Sequence, residues 1–217
     1  MAINIRNKFI WEDIMGKIDV KKMLKQFYNP SAKEVSVVDL PAMNYLMIDG
    51  KGDPNNSQSF KEAVEALFTL SYNLKFAIKK QTEIDYSVMP LEGLWWGDDM
   101  SKFMDHKDNW FWTVMIMQPE PVTAQWVATA KELVAKKKPQ IDLNKIRFES
   151  YTEGSCVQIM HIGTFSEEGP TVARLHDYID KNGYQKSLKH HEIYLSDFHK
   201  VNPAKMKTVV RQPFAVT

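Results

Sequence analysis

The order of elements predicted along this chain repeats itself. Two short strands, a long helix and two further strands occupy residues 35–118, and the same order returns over residues 146–213. The copies align at three places: Tyr45 to Gly50 with Gln158 to Gly163, Pro90 to Leu94 with His191 to Leu195, and Met117-Gln118-Pro119 with Arg211-Gln212-Pro213. A unit that cannot bury its apolar face alone packs against its copy. The pattern therefore predicts an α+β fold, a tandem βαββ duplication with pseudo-twofold symmetry whose antiparallel sheets enclose a central cleft. Glu92 and Glu192 fall at nearly the same place in the two copies, and the loop after Trp96 is expected to be their main mismatch.

The individual elements follow from periodicity. Val35 to Leu40 and Tyr45 to Ile48 read as strands of a hairpin joined through Pro41 to Asn44. Phe60, Val64, Leu67, Phe68, Leu74 and Ile78 recur at helical spacing over residues 57–80, behind a capping Ser57 or Ser59. Ile84 to Met89 begins a strand that Leu91 to Trp96 extends, and Trp110 to Met117 is another, stopped by Pro119 and Pro121. A helix over residues 122–138, with Trp126, Ala130, Leu133 and Val134 along one side, joins the copies. Lys145 to Tyr151 and Cys156 to Ile162 form a second hairpin pattern about Glu153-Gly154. A helix over residues 168–182 buries Val172, Leu175, Tyr178 and Ile179, with Gly183 at its exit, and Met206 to Arg211 is the last strand. Ahead of all this, residues 1–19 form an arm and residues 20–217 the domain, with a short helix near Val20 to Phe27 that is too small for a DNA-reading module.

Lys189 to Asp197 carries the chemistry. Its alternation turns His190, Glu192 and Tyr194 to one side and His191, Ile193 and Leu195 to the other. The apolar pair is expected under a helix, which leaves Glu192 in the cleft; burial there raises a carboxyl pKa unless a cation or donor compensates. Trp96 and Trp112, by strand parity and nearness to Glu92, either hold a flat aromatic ligand or pack in the core. His161 and His190 line the cleft or serve as satisfied structural histidines.

Other chemistries are excluded or find no support. Twenty-eight Lys and Arg against 27 Asp and Glu leave a net charge of +1, without the cationic concentration that a phosphate backbone requires, so no nucleic-acid partner is expected. No apolar run reaches the length of a membrane span and the N-terminus lacks a signal-peptide core, so a cytoplasmic protein without a membrane partner is expected. The lone Cys156 reads as a small core residue. Histidine spacing matches no zinc motif, and Asp98, Asp99 and Asp105 match no calcium loop, so no metal or cofactor is implied. Gly50 and Gly52 lack the motif of a phosphate cradle, and Ser196, Asp197 and His199 lack a nucleophile elbow.

The strings DLPAMNYLMIDGKGDPN, SYNLKFAIKK, VMPLEGLWW, VQIMHIGTF, HHEIYLSD and TVVRQPF resemble the stand-alone branch of the GyrI-like small-molecule-binding domain family, from about Val20 to the C-terminus. The resemblance implies the duplicated SHS2-type fold with a ligand cleft, and places the glutamate of an E-x-Y strand on the cleft floor: here Glu192, with Tyr194 as companion. Relatives include multidrug sensor domains and stand-alone proteins that hydrolyse the cyclopropane of spirocyclic DNA-alkylating compounds. Relatives often read HIGPY where this chain has His161-Ile162-Gly163-Thr164-Phe165, so the phenol hydroxyl is absent at Phe165. Glu192 and Tyr194 are thus the candidate catalytic residues, and Trp96, Trp112, Tyr45, Glu92, His161, Phe165 and His190 the candidate ligand-binding set. The partner expected is an aromatic or cationic small molecule, either hydrolysed as a detoxification or simply bound, as in a multidrug sensor.

Overall fold

The computed structural model describes residues 17–98, 107–197 and 200–216; the expectations placed on residues 1–16, Asp99, Asp105 and His199 lie outside the described residues. The chain enters through β1 (Lys17–Ile18) and two short helices, α1 (Val20–Met23) and α2 (Lys25–Tyr28). The first copy then runs β2 (Ser36–Leu40), β3 (Met43–Lys51), α3 (Gln58–Thr82), β4 (Asp85–Tyr86), β5 (Leu91–Trp96) and β6 (Phe111–Gln118). After the connecting α4 (Ala124–Lys137), the second copy follows as β7 (Arg147–Tyr151), β8 (Gly154–Ile162), α5 (Gly169–Lys181), β9 (Tyr184–Lys186), β10 (His190–Tyr194) and β11 (Lys207–Val216). Among the described residues, no helix is long and apolar enough to cross a membrane.

Eight strands form one antiparallel path, β2-β8-β11-β10-β5-β6-β3-β7, with β9 added on β11. The copies meet edge to edge through β5 and β10, where Glu192 lies opposite Gly93 and Ile193 opposite Glu92. The expected hairpins do not form. Instead β2 pairs with β8 and β7 with β3, so each copy lends its first strand to the other. The linkers Pro41-Ala42 and Thr152-Glu153 look like turns because they are short, but they carry the chain across the middle of the molecule. Leu40 lies opposite Gly154 and Met43 opposite Tyr151. Strands at the two ends of the path are thereby drawn together, and the sheet curls. The run Ile84 to Met89 also differs from expectation: only Asp85 and Tyr86 are extended, paired parallel with β1 in a separate two-stranded ribbon.

The helices α3 and α5, one from each copy, lie on one face of the sheet. α3 is capped by the Ser57 hydroxyl, which accepts from the Phe60 amide at 3.2 Å, and buries Ala66, Leu67, Leu70, Leu74 and Ile78 against β3 and β6. α5 buries Leu175 and Ile179 against Val157, Ile159 and Val210 of β8 and β11. α4 packs on α3 through Val127, Ala130 and Val134; Leu133, expected inward, is exposed. The central β5–β10 pair is left between the helices, as the floor of a groove.

On the other face a buried ion cluster holds the crossing together. Arg211 on β11 donates to Glu153 Oε2 at 3.0 Å, to Gln158 Oε1 at 3.1 and 3.2 Å, and to the Phe27 carbonyl at 2.8 Å. His191 Nδ1 lies 2.9 Å from Glu153 Oε1, and its Nε2 lies 3.0 Å from Glu92 Oε2. Tyr28 donates to Glu92 Oε1 at 2.7 Å, and Gln158 Nε2 donates to the Gln26 carbonyl at 2.7 Å, so α2 closes this face as a plug. Cys156 packs beside it, fully buried, its thiol pushed up by burial and by the Glu153 charge.

Burial works against ionisation of Glu153, but the charges and hydrogen bonds of His191 and Arg211 hold its pKa down at about 2. Burial also opposes protonation of His191, and Glu153 outweighs it to raise the pKa above that of a free histidine. The depressed Glu153 contributes stability above its unfolded value near pH 4.5 and loses it as pH falls toward 2. The raised His191 contributes below its unfolded value near 6.5 and loses it as pH rises through the folded value. Urea unfolding as a function of pH is expected to show greatest stability between these limits. Glu153→Gln should lower the plateau by roughly 3–5 kcal/mol, the usual cost of breaking a buried ion pair, and flatten the acid limb. An unchanged acid limb in the variant would exclude Glu153 as its source.

Candidate functional site

The helix-bearing face of β5 and β10 positions the site. The alternation of residues 190–194 holds, but the covered side is the reverse of the one expected: His190, Glu192 and Tyr194 face the groove between α3 and α5, while Ile193 and His191 turn to the plugged face with Glu92. Period two states which residues share a face and not which face a helix covers. A one-residue offset between the copies has the same effect. Aligning β10 on β11 with β5 on β6 makes Glu192 equivalent to Leu91 and Ile193 equivalent to Glu92, so the two glutamates lie on opposite faces of the sheet.

In the groove the Glu192 side chain is 17% exposed. Tyr194 donates to its Oε2 at 2.8 Å, and His190 Nε2 lies 3.4 Å from its Oε1. Trp95, also on this face, donates its indole N–H to the Tyr194 oxygen at 3.1 Å. Gly93 is required here. A Cβ at Gly93 would sit 2.7 Å from the Trp95 indole nitrogen and 3.1 Å from the Tyr194 oxygen. Aromatic rings pack on from Tyr194: Phe165 meets it edge-on at 5.6 Å, and Trp95, hydrogen-bonded to its oxygen, stacks on Phe60 at 6.0 Å and meets Trp110 at 5.7 Å.

A second carboxyl reaches the same place from the start of α5. Glu168 is 6% exposed and shares a hydrogen bond with Glu192. Its Oε1 is buried without a hydrogen-bond partner among the described residues. Burial, then the charge of Glu192, pushes Glu168 up to about 9. Burial works in the same direction on Glu192, yet the hydrogen bond and charge of His190, followed by the hydrogen bonds of Tyr194 and Glu168, bring it below the ordinary carboxylate value. Near neutral pH the pair is one carboxylate and one carboxylic acid, a division that suits one group to accept a proton and the other to hold one. Tyr194 stays protonated, its pKa raised by burial and by Glu192.

Of the remaining candidates, Phe165 and His190 join Glu192 and Tyr194. His161 is on the same face but buried, with Nδ1 3.0 Å from Thr171 Oγ1 and Nε2 2.9 Å from the Thr164 carbonyl, so it fastens the segment that carries Phe165 and Glu168. Trp112 is core beneath Phe60, and its ring runs over Gly50, where a Cβ would fall 2.1 Å away. Tyr45 and Glu92 belong to the buried cluster on the far face, and Trp96 lines a separate cavity there. Sequence reasoning missed Glu168 and Trp95. The only signal for Glu168 is its position ahead of Gly169-Pro170 at a helix start; the neighbouring Trp-Trp pair drew attention to the wrong parity. Among the described residues no three His, Cys, Asp or Glu side chains are grouped to hold a metal.

The charge division gives a direct expectation. In a carbon-13 NMR titration of the carboxyl groups, one glutamate resonance should remain protonated at pH 7 with a midpoint near 9, and vanish in Glu168→Gln. In Glu192→Gln the midpoint should fall, since the neighbouring charge is gone. A glutamate set that titrates wholly below pH 6 would rule out the assigned pair.

Residues 33–214 match the family model of the GyrI-like small molecule binding domain. An uncharacterized conserved protein from Listeria innocua is 40% identical, with a TM-score of 0.86 over 91% of this chain and 100% of that one. A hydrolase from Listeria innocua is also 40% identical, with a TM-score of 0.80 over 91% of this chain and 100% of its own. The C-terminal domain of EcmrR, 10% identical with a TM-score of 0.54 over 85% of this chain and 98% of that one, shares the fold. No curated protein is significantly similar to the chain. With the matched model spanning most of its length and the duplicated antiparallel sheet in place, the chain belongs to the GyrI-like small-molecule-binding domain family.

Proposed function

We propose that the groove over β5 and β10 binds a lipophilic aromatic small molecule and hydrolyses the cyclopropane of spirocyclic DNA-alkylating compounds, as a detoxification. The observation that carries this reading is the Glu192 carboxylate, held by Tyr194 and His190, beside the second buried carboxyl of Glu168, with Phe165 packed on Tyr194. A hydrolase from Listeria innocua at 40% identity supports it. Glu192 accepts a proton from a water as the water oxygen bonds to the cyclopropane methylene. The ring carbon–carbon bond breaks, its electron pair passes into the conjugated ring, and the ring oxygen becomes phenolic, taking its proton from solvent. Tyr194 has its one proton on Glu192 at rest, so its part is to orient the base, with Trp95 fixing the phenol in turn. Glu168 keeps the local charge at −1. Phe165, exposed at the edge of Tyr194, offers a ring to a flat substrate.

A second reading rests on the same carboxylate. A half-buried anion among aromatic rings attracts a delocalised cation without any chemical step, as in a multidrug sensor or sequestering protein. One substitution separates the two. Glu192→Gln keeps the shape of the site and removes the base, so conversion of a spirocyclopropane compound to its water adduct, followed by mass spectrometry, should slow by about 10²–10⁴-fold. Affinity for the neutral substrate should change little. If the parent protein leaves the compound intact over hours at high protein concentration, hydrolysis of this class fails; loss of affinity for a lipophilic aromatic cation in Glu192→Gln would then establish the binding reading.

A further inference from the structure

The face of the sheet opposite Glu192 holds a cavity of about 570 Å³, within the size range of small-molecule sites. Trp96 and Phe111, neighbours across β5 and β6, stack in its wall with centroids 5.9 Å apart and planes 16° from parallel. Leu94, Met47 and Tyr151 add apolar lining. β7 brings Arg147 and Glu149 from the second copy, so both copies build the site.

Its charges are unevenly matched. Arg147 takes both lining carboxylates, Asp49 at 2.9 Å and Glu149 at 3.2 Å. Lys51 and Lys189 have no ion-pair partner among the described residues and rest on ring faces instead: Lys189 Nζ is 3.2 Å from the Trp96 centroid and Lys51 Nζ 4.9 Å from that of Phe111. A cation–π contact at such a rim contributes about 0.5–1 kcal/mol, less than a charge-assisted hydrogen bond to an anion. An arriving anion therefore draws the ammonium groups off the rings and uncovers two flat aromatic faces. Partial burial also lowers the Lys189 pKa, a penalty that an anionic partner offsets.

We propose that this cavity is a second small-molecule site, distinct from the Glu192 groove, that takes a planar aromatic anion of the aryl carboxylate or sulfonate class. Its ring packs on Trp96 and Phe111 while Lys51 and Lys189 hold the anionic group. The preference is opposite in sign to that of the groove. Nothing in the proposal depends on hydrolysis at Glu192.

Calorimetric titration with naphthalene-1-sulfonate tests it. The parent protein is expected to bind the sulfonate at least tenfold more tightly than neutral naphthalene-1-methanol. The double variant Lys51→Gln/Lys189→Gln, whose substitutions lie at the cavity rim and whose folding is checked by circular dichroism, should lose at least tenfold in sulfonate affinity. Trp96→Leu should weaken both probes. Glu192→Gln should leave sulfonate affinity within threefold of the parent, because that carboxylate is on the other face. Equal affinity for the two probes, a double variant that binds like the parent, a larger shift in Glu192→Gln, or no heat at millimolar sulfonate would each overturn the proposal.

Discussion

The structure depends on a guanidinium that has nowhere to go but Glu153. Arg211 is fully buried on the inner strand β11, where an unpaired charge would be prohibitive. Its partners come from three separate places: Glu153 from the linker between β7 and β8, Gln158 from β8, and the Phe27 carbonyl from α2. His191 extends the set to Glu92, and so to β5 of the other copy. Satisfying one side chain therefore fixes the crossing of the chain, the docking of the N-terminal plug and the seam between the copies. That seam is also the floor of the groove, and His191 is the residue before Glu192. The site inherits its rigidity from charges on the reverse side of the same strand.

The copies are alike in backbone and unlike in this chemistry. Where the second has Gln158, His191 and Arg211, the aligned positions of the first are Tyr45, Pro90 and Met117. A symmetric frame thus carries an asymmetric interior. The same asymmetry appears on the groove side, where Glu192 corresponds to Leu91, so one carboxylate serves the whole site rather than a symmetric pair. Glu168, from the helix start of the second copy, completes the pair from within that copy.

Much of this was legible along the chain. Helical spacing from Phe60 to Ile78, the strand at Trp110 to Met117 and the duplicated order all depend on local periodicity, and the structure has them within a few residues of the expected bounds. The hairpins are not legible because Pro41-Ala42 and Thr152-Glu153 have the length and composition of turns, whereas the choice between folding back and crossing over is made by partners more than 100 residues away. Strand parity grouped His190, Glu192 and Tyr194 correctly, and the side facing α5 is a tertiary fact that no single strand encodes. Glu168 was invisible for a similar reason: a glutamate at a helix start is common, and its burial and its approach to Glu192, which together shift its proton affinity, are both tertiary.

The exchange of first strands bears on how such a chain acquires its structure. Ser36 pairs with Gln158 and Leu40 with Gly154, separations of slightly more than half the chain. Contacts of that span close slowly, since the loop entropy must be lost before the pairing returns anything. During vectorial synthesis, β2 leaves the ribosome long before its partner exists, while β3, β5 and β6 can already assemble on α3. The first copy must then persist with an open β3 edge, awaiting β7, and a strand without a sheet. An unpaired edge of this sort invites association with other nascent chains. The duplication thus makes the two copies obligate folding partners: neither is a domain that evolution could shed, and the cost of keeping a single enclosed groove is a nascent half-molecule that depends on prompt completion of its twin.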